Sequence, residues 1–178
     1  ARQLTNYVLF NFSDDEEALF FYTSQTQPAL IARKKEVQDN VIPSSNAVMA
    51  ENLKILGELY YHEPYLRKSE AMIQQVKTNM LQYPDAFSYW ALVMLQYAYP
   101  SYEIAIVGSN HRLQRRKFDQ HYFPNVIFLG GKNDTDLPLL ENKNVQGKTF
   151  IYVCQDKSCK LPVQKVSDAL RQLPSTLD

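Results

Sequence analysis

From residue 1 to about residue 100 the apolar positions recur with a helical period; beyond that they gather into short uninterrupted runs. Met49, Leu53, Leu56 and Tyr60 fall at i, i+4, i+7 and i+11. Val48, Ile55 and Leu59 line an adjacent stripe, and Glu51, Lys54 and Glu58 a polar one. This spacing predicts a helix from Ser44 to about Tyr61 with a wide apolar face, covered on more than one side. Pro43 suits a helix entrance, and Ser44 or Ser45 a cap. His62-Glu63-Pro64 is a turn leading into a second helix that runs to about Leu81, with Ser69, Ile73, Val76 and Met80 on one face. Tyr83-Pro84-Asp85 repeats the device before a third helix, to about Tyr99. That helix carries no charge on any side and is expected to be buried. Helices joined by such short turns are antiparallel neighbours.

The N-terminal stretch is less regular. Residues 1 to 10 read as a helix end or a leading arm. Ser13-Asp14-Asp15-Glu16-Glu17 has the form of a cap and an acidic first turn, yet Ala18 to Thr23 is aromatic-rich and suits a strand equally well. Ala29 to Arg33, after Pro28, could pair back on it. The expectation is a short β excursion near 18–33 at the mouth of a helical body.

After Pro100 the pattern changes. Glu103 to Gly108, Pro124 to Gly131 and Lys148 to Cys154 are apolar runs of strand length. A basic helix from Asn110 to about Tyr122 separates the first two, and an amphipathic helix closes the chain from Gln164 to Leu173. Strands alternating with helical segments predict a small, mainly parallel three-stranded sheet. The fold class expected is therefore α+β, with α-hairpins in 1–100 and a small α/β module in 101–178.

Composition narrows the function classes. The 178 residues carry 19 Lys+Arg and 19 Asp+Glu, so no global field gathers nucleic acid or anionic lipid. The longest uncharged run, Ala86 to Tyr102, contains Ser88, Gln96 and Pro100 and reads as a buried helix, not a membrane span. No secretory leader is visible, and two cysteines fit a reducing, cytoplasmic setting. The glycosylation-type triplets at Asn11 and Asn133 carry little weight without a leader. The first residue is Ala, which suggests a piece or a processed form.

The polar run Arg33 to Asn46 stands out. Taken with Glu103-Ile-Ala-Ile-Val-Gly108 and Phe150-Ile-Tyr-Val-Cys154…Cys159-Lys-Leu-Pro162, in that order, it resembles the C-terminal part of the thioredoxin-domain-containing family related to spermatogenesis-associated protein 20. The resemblance covers nearly the whole chain. It implies an N-terminal thioredoxin-like domain and the first half of a six-hairpin α/α toroid, neither present in this chain. That toroid is similar to those of N-acylglucosamine 2-epimerases and six-hairpin glycosidases. Residues 1–100 would be its last hairpins.

Several chemistries follow as expectations. Glu36 and Asp39 are the carboxylate pair available for acid/base work on a sugar, and Arg33, Asp39, Ser44 and Asn46 are the ligand-binding candidates. The competing reading makes the same residues ion pairs and helix caps. Epimerases of the resembled fold use inner-helix histidines; His62, His111 and His121 all lie off the Ser44–Tyr61 helix. Cys154 and Cys159 lack the two-residue spacing of a thioredoxin site, and two sulfurs do not close a zinc site, so no metal is expected. Two reduced structural thiols are the default. A disulfide needs Cα atoms within about 6 Å, and a redox role is the remaining alternative. Gly108, Gly130 and Gly131 end strands where open sheets bind ligands, but the dinucleotide fingerprint is absent and no cofactor is expected. Arg112, Arg115, Arg116 and Lys117 form a basic face, solvated or facing an acidic domain, without nucleic-acid motifs.

Three functions are thus in play: one wall of a carbohydrate-binding or carbohydrate-processing cavity, inactive on its own; a non-catalytic scaffold or interaction module; and a thiol-redox accessory. The expected partners are the missing N-terminal part and a sugar ligand, with self-association through exposed apolar faces, and neither nucleic acid nor membrane.

Overall fold

The computed structural model describes residues 1–28, 31–99, 101–133 and 135–174. The chain divides into two units, Ala1–Leu95 and Gln96–Asp178. Helices and a small mixed sheet place it in the α+β class.

In the first unit, α1 (Arg2–Phe12) is followed by an irregular polar segment, then α2 (Ser45–Leu59) and α3 (Glu63–Gln82). A 3-10 turn, Pro84–Phe87, opens α4 (Ser88–Ala98). The expected proline-led turns are present, and α2 and α3 form an antiparallel hairpin. Near the turn Leu66 lies over Gly57. Farther along, the Ser69 hydroxyl donates to the Ala50 carbonyl at 2.7 Å. Ala50 and Ser69 are fully buried, so the small side chains let the helices approach closely. The core gathers Leu53, Met72, Val76, Phe87, Trp90 and Val93.

Three expectations fail in this unit. No strand forms in 18–28 or 31–33, and Ala29 and Leu30 lie outside the described residues. Leu19 and Phe20 instead turn into the helical core, and the Phe20 backbone bonds to a side chain rather than to another strand. Ser13–Glu17 is irregular after α1, bending from Asp15 onward, and starts no helix. The α4 helix buries Trp90 and Val93 but leaves Leu92 and Leu95 exposed, so it is not covered on all sides. On the polar stripe of α2, Lys54 is buried and pairs with Glu58, four residues on, at 2.6 Å.

In the second unit the strands are β1 (Tyr102–Val107), β2 (Val126–Gly131), β3 (Phe150–Gln155) and β4 (Ser158–Cys159), with helices α5 (His111–Phe118) and α6 (Val166–Leu170). The order is β2-β1-β3-β4. Only β1 and β2 are parallel; β3 runs antiparallel to β1, which corrects the mainly parallel three-stranded expectation. The reason lies in the connections. A helix carries the chain from β1 to β2, as parallel neighbours require. Between β2 and β3 the described chain has only a 3-10 turn, Pro138–Leu140, so no helical crossover dictates direction.

The apolar sequence of β1 is explained by cover on both faces. Ile104 and Ile106 pack with Phe118, Ile151, Val153 and Ala169 on one side. Ala105 and Val107 meet Leu139, Leu140 and Cys154 on the other.

Gly108 ends β1 at φ +132°, where a Cβ would stand 2.3 Å from the Lys148 carbonyl oxygen and 2.6 Å from the Thr149 Cα. Both obstacles are backbone and cannot swing away. Gly108→Ala is therefore expected to cost about 3 kcal/mol from strain and overpacking, read as a lower urea midpoint; an unchanged midpoint refutes this packing.

Candidate functional site

The polar segment between α1 and α2 lies on the helices and bonds to them at several points along its length. Asn46, in the first turn of α2, is buried. Its Oδ1 accepts from the Phe20 amide at 2.7 Å, and its Nδ2 donates to the Phe20 carbonyl at 3.0 Å and the Glu36 carbonyl at 2.8 Å. One amide side chain thus stands in for a neighbouring strand and satisfies backbone groups that burial would otherwise orphan.

Asp39 ties two helix starts together. Its Oδ1 accepts from the Ser44 amide at 2.9 Å and its Oδ2 from the Tyr89 amide at 2.8 Å. Its own amide donates to the Ala86 carbonyl at 2.8 Å. Helix N-termini present free amides and partial positive charge, so one carboxylate between two of them is well placed. Glu36 Oε2 accepts from the Ser45 amide at 3.1 Å, and the Ser44 hydroxyl accepts from the Ala47 amide at 3.3 Å. Trp90 Nε1 donates to the Val37 carbonyl at 2.8 Å, and the Tyr89 hydroxyl donates to Glu51. That hydrogen bond, followed by burial and the nearby charges, pushes the Tyr89 phenol up to about 12.

Arg33 lies 3.9 Å from the centre of the Phe21 ring and donates to the Thr23 carbonyl at 2.7 Å. The sequence candidates Arg33, Glu36, Asp39, Ser44 and Asn46 are therefore brought into one segment, but as fasteners. A general acid or base must present an oxygen or nitrogen to substrate, and both Asp39 oxygens already hold backbone amides.

A cluster that the sequence showed only in pieces lies beside this segment. Lys35 bonds to Asp14 at 2.6 Å and to Glu17. Gln75 joins from α3, donating to Glu17 at 2.9 Å and accepting from the Ala18 amide at 3.0 Å. The Lys35 hydrogen bonds hold both carboxyls below the usual carboxylate range. Burial works against the Lys35 charge, but its two acidic partners outweigh it and the ammonium is raised.

Next to the cluster is a cleft of about 480 Å³, with Lys35, Glu36, Gln38, Gln75 and Asn79 among its polar lining and Leu19, Val76 and Phe87 among its apolar lining. Gln38, Gln75 and Asn79 had no sequence signal as a group, because α3 and the polar segment meet only in the fold.

Cys154 and Cys159 form a disulfide across β3 and β4, where they sit directly opposite one another. This overturns the expectation of reduced thiols. The reason is the turn: Asp156 and Lys157 both adopt positive φ, the geometry of a tight two-residue hairpin. Cys154 is buried and Cys159 exposed. At the carboxyl ends of β1 and β2, Gly108, Ser109, Lys132, Asn133 and Lys148 border a hollow of about 560 Å³. Among the described residues no group of acidic, histidine or cysteine side chains is arranged to hold a metal ion, and no helix is long and apolar enough to cross a membrane.

No protein-family model matches the chain. It is similar to spermatogenesis-associated protein 20 of Rattus norvegicus, 25% identical over 142 residues, which is 74% of this chain and 18% of the rat protein. The proteins of the same name from Homo sapiens and Mus musculus are 24% and 23% identical over the same lengths and shares. The chain thus spans less than a fifth of the length of these relatives, and its similarity to them is distant.

Two stability measurements check the site. Asn46→Ala leaves the Phe20 amide and two carbonyls without their buried partner, and should cost about 3 kcal/mol in urea unfolding. An effect below about 0.5 kcal/mol, the level of an ordinary surface change, contradicts the clamp. For Lys35 the sign follows from the depressed carboxyls. Their contribution is full above the ordinary carboxylate pKa of about 4 and is lost as pH falls through the lower folded values. The melting-temperature gap between wild type and Lys35→Met should therefore hold at neutral pH and close under acid. A gap that stays constant to strong acid is the opposing result.

Proposed function

We propose that this chain is a non-catalytic scaffold and interaction module of a longer polypeptide, with α1 to α4 serving as terminal hairpins of an α/α toroid. The observation that carries this reading is the commitment of Asp39 and Asn46 to backbone partners. Asp39, one of the two carboxylates expected to form a catalytic pair, fastens the starts of α2 and α4, and Asn46 fastens the irregular segment to α2. The distant similarity to proteins more than five times the matched length supports a role inside a larger molecule. The rest of that molecule, including a thioredoxin-like domain, is the partner proposed here. Exposed Leu4 and Phe10 on α1 and Leu92 on α4 give such a scaffold apolar surface for a neighbour.

The cleft beside Lys35 favours a second reading, one wall of a sugar-binding cavity. Carboxylate and amide groups over an apolar floor suit a polyhydroxylated ligand. The disulfide favours a third, thiol exchange, because the Cys159 side of the bridge is exposed.

Trp90 separates the first two. It is the sole tryptophan, and its indole donates to Val37, whose residue lines the cleft. The scaffold reading expects no saturable change in tryptophan emission on titration with monosaccharides to high millimolar. It also expects Gln38→Ala to leave stability within about 0.5 kcal/mol of wild type. A saturable change abolished by Gln38→Ala supports the sugar wall and sinks the scaffold as a complete account.

A further inference from the structure

The two edges of the four-stranded sheet are treated differently. At one edge β4 has only two residues and is stapled to β3 by the Cys154–Cys159 disulfide. A strand this short offers little template for another chain. At the other edge β2 is six residues long, Val-Ile-Phe-Leu-Gly-Gly, with no charge and no proline. Exposed edges are normally blunted by lysine, proline, bulges or short length, because a bare row of amides and carbonyls recruits further strands. The carbonyls of Asn125 and Gly131 accept from Tyr102 and Gly108. By strand alternation the odd positions face β1, so Val126, Phe128 and Gly130 direct their amides and carbonyls outward.

Above this edge lies α5. It carries His111, Arg112, Arg115, Arg116 and Lys117, with no acid within the helix. Arg115 is occupied: it pairs with Asp119 and lies 3.9 Å from the centre of the Phe128 ring. Arg112 and Arg116 are exposed and make no ion pair among the described residues. Between the helix and β2 is a recess of about 340 Å³, floored by Ile106, Phe128, Leu129 and Gly130 and walled by the arginines. Gly130, opposite Ile106 in the register, approaches the Ile106 backbone too closely to carry a side chain.

We propose that β2 and α5 form a docking site for an extended acidic peptide segment of a partner protein, which adds as a strand to the free edge of β2. Backbone pairing to Val126, Phe128 and Gly130 supplies general affinity. Specificity comes from alternate side chains on the α5 face: carboxylates meet Arg112 and Arg116, and an apolar side chain enters the recess. The charge on α5 selects an acidic strand over a basic one. The bare edge selects a peptide over a nucleic acid, which has no row of amides and carbonyls to complete a ladder. This surface is separate from the segment that carries the scaffold reading, although it gives that reading a partner class.

The test is fluorescence anisotropy with the 178-residue chain and a short labelled peptide whose alternate positions read glutamate, leucine, glutamate, with threonine between them, so that acid and apolar side chains share one face. The site predicts saturable binding that weakens by about tenfold for the Arg112→Glu/Arg116→Glu variant, whose circular dichroism should match wild type. With wild-type protein, a lysine-for-glutamate peptide should bind at least about tenfold more weakly. A peptide N-methylated along one edge should lose binding to a similar degree, as the ladder requires. Equal binding by the N-methylated or lysine peptide overturns the proposal. So does a short RNA that outcompetes the peptide, or a β2-paired dimer of this chain that excludes it.

Discussion

The first unit depends on satisfying the backbone of a long irregular segment while that segment lies against a helical core. Leu19 and Phe20 are buried, yet they belong to no helix or strand. The Phe20 amide and carbonyl would be expensive to bury unpaired. Asn46 solves this from the first turn of α2, with an acceptor and two donor hydrogens on one side chain. Asp39 does the complementary work for amides at the starts of α2 and α4. Every Asp39 and Asn46 side-chain oxygen thus holds a backbone amide.

The helices of this unit were legible because their signals are local. Period, proline-led turns and a serine cap are all read within one element, and Ser44 does cap α2. The clamps were not legible in the same way. Asn46 meets Phe20 across 26 positions and Asp39 meets Tyr89 across 50, so no window of sequence contains both partners. The sequence marked Asp39 and Asn46 as special without saying whether ligand or backbone would claim them. The β excursion failed for the same reason: an aromatic run reads as a strand until a side chain elsewhere takes its hydrogen bonds. In the second unit, β1 and β2 were found from their apolar runs, but the direction of β3 was not, since a run of five apolar residues carries no orientation. The disulfide turned on two positive-φ residues, Asp156 and Lys157, which are not glycines and give no strong turn signal.

Taken together, the two units suggest a division of labour by surface. The polar segment that drew attention in the sequence is internal architecture. The surfaces left for interaction are the cleft beside Lys35, the exposed apolar positions of α1 and α4, and the bare edge of β2 under its arginines. In this chain, which matches less than a fifth of the length of its distant relatives, the polar segment holds its own elements together.

The central claim is that Asn46 and Asp39 hold backbone amides as firmly as secondary structure would. Native-state hydrogen exchange at Phe20 and Tyr89 tests it most directly. Phe20 lies in irregular chain and Tyr89 in the first turn of α4, where amides ordinarily exchange quickly. The account predicts that both exchange only through global unfolding of residues 1–95. Exchange at the rate of an exposed loop amide at either position would contradict it.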